Sequence, residues 1–143
     1  MTDLPDAIYD KIEILSERGN ILLENQHDWK GAVAVWQEAL DLLPEPKTQW
    51  EAALWLYASI GEADRLGHDN PAAKDSLYNA LNCPDGHMNP LVLLRLGQTL
   101  ADMGEVDEGV EHLLRAYMLD GEEVFEEDGA PYLALLRQRK LID

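Results

Sequence analysis

The chain has 143 residues, of which 28 are acidic and 11 are basic, so its formal net charge is −17. Such a surface repels nucleic acids and anionic membranes and suits a basic protein partner, although acidity serves solubility equally well. Hydrophobic residues make up 46% of the chain, enough for a packed core. Because Cys83 is the only cysteine, an internal disulfide and a cysteine-based zinc site are excluded.

The chain opens MTDLPDAIYD, which lacks the basic and then apolar segments of a secretory signal. No apolar run approaches the ~20 residues that span a bilayer. We therefore expect a cytoplasmic protein with no membrane partner. Strand patterns are sparse, and apolar residues recur with the period of a helix, which predicts an all-α fold.

The first predicted helical pair covers about residues 8–43. Its helices lie at residues 6–25 and 29–43, because apolar residues recur there three and four positions apart. The polar turn NQHD separates them. Pro44 and Pro46 end the second helix, since proline cannot continue the helical hydrogen-bond ladder.

The second predicted pair covers about residues 48–82. Thr48, with Glu51 three residues later, is typical of a capping box at the start of a helix. Asn70 then precedes Pro71, which is the pattern of a capping residue followed by proline at the first helical position. The breaker-rich sequence CPDGHMNP ends this pair.

The third predicted pair covers about residues 90–120, with Gly104 as the left-handed residue that ends its first helix. Gly97 and Gly109 lie inside the two helices, where glycine costs roughly 1 kcal/mol relative to alanine. Their presence indicates a close approach of the two helix backbones. A last helix is predicted at about residues 131–142.

Three positions recur in the second helices of these pairs, with offsets of 41 and then 36 residues. A glycine recurs in the first helices, at Gly61 and Gly97, and the matching place in the first pair is Asn20 with Gly19 just before it. Paired helices with such a period are typical of an α-solenoid. The recurring positions are Ala32, Ala73 and Gly109; Trp36, Leu77 and Leu113; and Ala39, Ala80 and Ala116.

These columns resemble the tetratricopeptide repeat, most clearly at Leu96–Gly97, Leu100, Gly104 and Ala116. The repeats are longer than usual for that family, and Tyr57 and Leu93 stand where its leading tryptophan is expected. The resemblance implies an all-α fold of three tetratricopeptide-like hairpins with a C-terminal capping helix. We expect this α-solenoid to form a single domain over residues 1–143.

No catalytic pattern is present. The chain lacks a glycine-rich phosphate loop, a GxSxG sequence and an HExxH sequence. The four histidines are far apart in the sequence. The acidic runs EEVFEED and DMGEVDE both lack the alternating oxygen ligands and central glycine of a calcium-binding EF-hand loop. We therefore predict a protein that is not an enzyme, with no catalytic residues, no metal site and no cofactor.

The resemblance implies an inner groove lined by the first helix of each pair. Asn20 and Arg95 match the family's carboxylate-gripping positions, but Ser16, Ala58 and Leu91 stand where lysines are expected, which argues against that mode of binding. An apolar partner segment with basic residues fits the groove better, unless Trp55 and the leucines pack under the last helix instead. The predicted groove residues are Glu13, Asn20, Trp55, Glu62, Arg65, Leu91, Leu94, Arg95 and Gln98.

A second predicted partner surface is the acidic run after Gly121, with Glu122, Glu123, Glu126 and Glu127. The short repeat body, strong acidity and ending RAYMLDGEEVFEEDGAPYLALL are similar to tetratricopeptide-like immunity proteins encoded beside bacterial toxins. That likeness implies an acidic protein that neutralises a basic one. The alternative is a chaperone or assembly adaptor that holds a peptide in the groove.

Overall fold

The computed structural model describes residues 4–143, so the first three residues of the predicted domain lie outside the described part. Every regular element in this part is helical. Short 3-10 turns lie at Lys47–Gln49, Gly86–Met88 and Glu123–Phe125. The α-helices are α1 (Asp6–Glu24), α2 (Trp29–Asp41), α3 (Glu51–Leu66), α4 (Asn70–Leu81), α5 (Pro90–Asp102), α6 (Val106–Asp120) and α7 (Ala130–Gln138).

The helices pack as successive hairpins. Helices α1 and α2, α3 and α4, and α5 and α6 pair with each other, while α2–α3 and α4–α5 contacts join one hairpin to the next. Each hairpin thus buries its apolar faces against its own partner helix and against its neighbours, as in a solenoid. The predicted all-α solenoid of tetratricopeptide-like hairpins is confirmed.

A glycine marks the crossing point of each hairpin. A Cβ atom added to Gly61 would lie 2.6 Å from Cγ of Leu77, and one added to Gly97 would lie 2.6 Å from Cγ of Leu113. In the first hairpin, the indole of Trp36 packs against Gly19 in the same way. The repeated glycine of that hairpin is therefore Gly19, and Asn20 lies beside it on the exposed surface.

Two predicted helix caps are wrong, although α4 does begin at Asn70 as predicted. Thr48 lies in a 3-10 turn, and α3 begins only after Trp50, whose extended backbone and lack of a side-chain cap rule out a capping box. That turn is held by Lys47, which donates hydrogen bonds to the carbonyls of Leu40 and Leu43. In α4 the cap is Asp69, which accepts from the N–H of Ala72, and not Asn70.

The last helix is shorter than predicted. It was expected to reach residue 142, but α7 ends at Gln138. Lys140 adopts a positive φ of 61°, and the N–H of Leu141 bonds back to the carbonyl of Leu136 at 3.1 Å. This left-handed ending with a backward hydrogen bond closes a helix at its C-terminus.

Substitution of Gly109 tests whether α5 and α6 depend on their close approach at this residue. A Cβ atom at Gly109 would lie 2.8 Å from the carbonyl oxygen of Gly97, a backbone atom that cannot move alone. We expect Gly109→Ala to lower the free energy of unfolding by about 1 to 2 kcal/mol, although alanine favours a helix by about 1 kcal/mol. Urea denaturation measures the change, with Glu111→Ala on the exposed face of α6 as the control. Unchanged or increased stability of Gly109→Ala would contradict the packing described here.

One carboxyl group of α3 is buried. Asp64 is 5% exposed, and burial, together with the negative charge of Asp69, raises its pKa from 3.8 to about 6. Burial disfavours the charged carboxylate, so the folded state binds a proton more readily than the unfolded chain does. The resulting cost to stability is absent below about pH 4 and fully present above about pH 6.

We expect Asp64→Asn to stabilise the protein at pH 7, by an amount on the order of 2 kcal/mol, because the amide carries no charge to bury. Thermal unfolding followed by circular dichroism at pH 5 and pH 7 measures the effect. The variant should gain most at pH 7 and less at pH 5, whereas Asp75→Asn on the exposed face of α4 should gain nothing specific. An equal gain at both pH values would show that charge burial is not the cause.

Candidate protein-binding site

An open cleft lies between α1 and α3 and has a volume of about 1040 Å³. The side of α1 supplies Tyr9, Glu13 and Ser16, and α3 supplies Trp55 and Leu56. Trp36 reaches the bottom of the cleft from α2, where its indole N–H donates to the carbonyl of Ser16 at 3.2 Å. The remaining lining residues are Leu4, Asp6, Ile12, Glu17, Asn20, Trp50, Glu51, Ala52 and Ser59.

The cleft combines exposed aromatic rings with carboxylates. Trp55 is 53% exposed and Tyr9 is 50% exposed, although large aromatic rings are normally covered in a small protein. Four acidic residues line the same cleft, and none of its described lining residues is lysine or arginine. Aromatic rings bind apolar side chains and also attract cations through their faces, so this surface is suited to basic and apolar groups together.

Helical spacing places these side chains on two facing stripes. Tyr9, Glu13 and Glu17 are four residues apart along α1, and Glu51 and Trp55 are four apart along α3. Residues at that spacing share one face of a helix, so each helix presents its aromatic and acidic side chains together.

The groove continues over α3 and α5, but there the chain's own C-terminal segment covers it. Arg95 of α5 donates to Asp128 at 2.8 Å and forms an ion pair with Glu62 of α3. Arg65 of α3 lies 3.6 Å from the other oxygen of Asp128. One carboxylate from the segment before α7 is thus held between two arginines of the groove.

The start of α7 completes this contact. The hydroxyl of Tyr132 donates to Asp102 at 2.7 Å and accepts from Arg65 at 3.3 Å. Beneath the polar layer, Leu133 and Leu136 of α7 belong to the same buried cluster as Leu94. The C-terminal segment therefore contributes both a carboxylate and an apolar face to the groove.

The charges in this cluster shift the titration of Asp128. Burial alone raises the pKa of its carboxyl, but the hydrogen bond and charge of Arg95, helped by the charge of Arg65, hold the pKa below its usual value. Asp128 therefore remains charged in its contact with the arginines at neutral pH. The ion pairs of Asp128 with Arg65 and Arg95 are therefore between charged groups at neutral pH.

The structure distributes the predicted groove residues over several environments. Glu13, Asn20 and Trp55 line the open cleft. Glu62 and Arg65 belong to the ion-pair cluster under the C-terminal segment, and Leu91 is exposed at the start of α5. Leu94, Arg95 and Gln98 are buried, and Leu94 packs with Leu133 and Leu136 of α7, which agrees with the alternative that the leucines lie under the last helix. Their role in partner binding stays a prediction.

The acidic residues after Gly121 make two kinds of contact, with solvent and with arginines of the chain. Glu122, Glu123, Glu126 and Glu127 are exposed, as expected of a solvated rim. Glu122 forms an ion pair of 2.6 Å with Arg137. The last carboxylate of the run belongs to Asp128, which contacts the arginines of the groove while its side chain stays 45% exposed.

Sequence reasoning missed several residues of these surfaces. Tyr9 and Glu17 were detectable, because both are four residues from Glu13 and share its helix face. Glu51 was assigned to a cap, although its spacing from Trp55 places it in the cleft. Asp128 had no local signal, since its partners are more than thirty residues away in the chain.

The requirements of a metal site, a reactive thiol and a membrane span can be compared with the described residues. Within residues 4–143, no cluster of three or more histidine, cysteine, aspartate or glutamate side chains is placed to hold a metal ion. The thiol of Cys83 is buried, and burial raises its pKa to about 11, so it is a poor nucleophile at neutral pH. Across the same residues, each helix is too short or too polar to cross a bilayer.

Comparison with known proteins identifies the fold. Neither the protein-family models nor the curated proteins provide a match to this chain. Among solved structures, the chain is similar to the crystal structure of MamA, with a TM-score of 0.68 and 18% sequence identity. The match covers 94% of this chain and 78% of the MamA chain. The chain therefore shares the tetratricopeptide-like helical-repeat fold of MamA.

Proposed function

We propose that this protein is a non-catalytic binding module that holds a basic, apolar segment of a partner protein in the cleft between α1 and α3. The observation that carries the proposal is the pairing of exposed Trp55 and Tyr9 with acidic residues in one open cleft. Exposed aromatic anchors are the side chains that contribute most to protein interfaces. The surrounding carboxylates select lysine and arginine in the bound segment and raise its association rate.

The proposal corresponds to the adaptor type of function. An extended or helical peptide fits a cleft of about 1040 Å³ better than a whole folded domain does. The net charge of −17 supports the basic character of the partner. A cytoplasmic location agrees with this function and remains a prediction, as does the single domain over residues 1–143.

Selection of peptides tests this proposal directly. We expect a displayed library of random twelve-residue peptides, selected against the protein at low salt, to yield sequences rich in arginine, lysine and large apolar residues. For an enriched peptide, Trp55→Ala should weaken binding by about tenfold or more, because an aromatic anchor contributes more than 1 kcal/mol. Fluorescence anisotropy measures the affinity.

The matched charge variants are Glu13→Gln inside the cleft and Glu38→Gln outside it on α2, and each removes one negative charge. The cleft variant should weaken binding of the enriched peptide, and Glu38→Gln should not. Enrichment of acidic peptides, or equal loss in both variants, would refute binding in this cleft.

A more specific role is neutralisation of a basic toxin. The support for it is the net charge of −17 and the exposed glutamates at 122, 123, 126 and 127, which together suit charge-steered association with a folded basic protein. In this role the toxin would bind these exposed glutamates more than it binds the cleft. The two versions therefore differ in which surface the partner needs.

Charge reversal separates the two roles. With a basic nuclease toxin as the partner, we expect Glu123→Lys, Glu126→Lys and Glu127→Lys together to slow association about tenfold and to reduce neutralisation, because they remove the attractive field. Trp55→Ala should then have little effect. Stopped-flow association rates at low and high salt provide the measurement, and rates that do not change with salt or charge would eliminate the toxin role.

A further inference from the structure

We propose that the outer face of α1 is a self-recognition surface, through which two copies of this chain pair as a parallel dimer with twofold symmetry. This face carries a seven-residue repeat in which an apolar residue is followed by an acidic and then a basic one. The α1 outer face is defined as an apolar stripe of Ala7, Ile14 and Ile21, an acidic row of Asp10, Glu17 and Glu24, and a basic row of Lys11 and Arg18.

The apolar stripe is open to solvent. Ile14 is 62% exposed and Ile21 is 43% exposed, and Ala7 also lies on the surface. Seven residues fall about 20° short of two helical turns, so these side chains stay on one face of α1. Packing within one copy does not require the repeat, because α1 packs on α2 through other positions, such as Ile12 and Leu15.

The two charged rows lie on opposite sides of this stripe. Glu17 is about 60° to one side of Ile14 around the helix, and Arg18 is about 40° to the other side. Asp10 and Lys11 repeat this arrangement seven residues earlier. Although the chain has 28 acidic residues, neither Lys11 nor Arg18 forms an ion pair within residues 4–143. Neither has a carboxylate three or four positions away along α1, where an ion pair within the helix would form.

This arrangement of charges is complementary to a second copy of itself. When two parallel helices face each other about a twofold axis that runs along them, the row on one side of each helix meets the row on the other side of its partner. Glu17 then lies beside Arg18 of the second copy, and Asp10 lies beside Lys11 of the second copy. Each ion pair occurs twice, on the two sides of the apolar stripe. An antiparallel pair would instead bring like charges together, which disfavours it.

The size and net charge of the molecule predict that this association is weak and reversible. One helix from each copy provides less contact than a standard interface of about 1,600 Å². The net charge of −17 on each copy opposes association at low salt. At about 0.15 M salt the Debye length falls to about 8 Å, so repulsion between distant charges is reduced while the ion pairs at the interface remain close.

Sedimentation equilibrium of the full chain, at about 10 to 500 µM protein and about 0.15 M salt, tests the proposal. We expect a monomer–dimer equilibrium that Ile14→Glu weakens at least about tenfold, because dimerisation would bury the new carboxylate in the apolar stripe. The matched control is Met118→Glu, which adds the same charge at a side chain 75% exposed on α6 and should leave the equilibrium unchanged. A monomer at every concentration, or equal dissociation constants for both variants, would overturn the proposal.

Charge reversal tests whether the second copy is recognised through the two rows. Lys11→Glu with Arg18→Glu makes both rows acidic, and Asp10→Lys with Glu17→Lys makes the basic row face another basic one. Each double variant alone should be monomeric, and an equimolar mixture of the two should form a dimer. A mixture that stays monomeric would show that the rows do not pair.

A net-charge control accompanies this experiment. Lys30→Glu with Lys140→Glu changes the net charge as much as the acidic double variant does, at exposed positions outside α1. This control should still dimerise. Its loss of dimerisation to the same extent would assign the effect to overall repulsion and overturn the role of the α1 outer face.

Disulfide trapping tests the parallel orientation. About a twofold axis along α1, residue 7 of one copy lies opposite residue 7 of the other. Ala7→Cys should therefore give a disulfide-linked dimer under mild oxidation, and Ile14→Glu in the same chain should suppress it. The native thiol of Cys83 is buried and does not compete. A dimer by sedimentation that fails to cross-link through residue 7 would overturn the parallel arrangement.

Discussion

The close approach of two helices at a glycine is the constraint on which this structure depends. In each hairpin the glycine of the first helix leaves room for a large side chain of the second, as at Gly97 and Leu113. Since the backbones are brought this close, the hairpins have similar shapes and stack in register. The regular stacking aligns α1, α3 and α5 side by side, and the groove is a consequence of that alignment. The glycines therefore influence the shape of the cleft through the packing of the hairpins.

The chain divides this groove into two parts that differ in charge. Between α1 and α3 the groove is open and lined by carboxylates and exposed rings. Between α3 and α5 it carries Arg65 and Arg95 and is covered by residues that follow α6. Covering that part buries Leu94 and protects the last hairpin, which has no further repeat to pack against. The residues after α6 therefore act as the cap of the last hairpin.

Features that depend on residues close together in the sequence could be predicted, and features that depend on distant residues could not. Helices, hairpin pairing and the glycine crossings follow from periodicity and from Gly97 and Gly109, because those signals are short-range. The cap at Asp69 was missed by one residue, since Asn70 is an equally good capping type. The burial of Leu94 and Arg95 could not be read from α5 alone, because it depends on Asp128 and Leu136, which reach α5 through tertiary contacts.

The position of the tryptophans has a spectroscopic consequence. All four, Trp29, Trp36, Trp50 and Trp55, belong to the first two hairpins, while the third hairpin and the C-terminal segment contain tyrosine and phenylalanine only. Intrinsic tryptophan fluorescence is therefore a natural reporter of the α1–α3 half of the molecule, and Trp55 makes its emission sensitive to what enters the cleft. Unfolding or binding that is confined to the third hairpin leaves tryptophan emission unchanged. A folding transition followed by fluorescence and by circular dichroism in parallel thus resolves the two halves of the solenoid without any label.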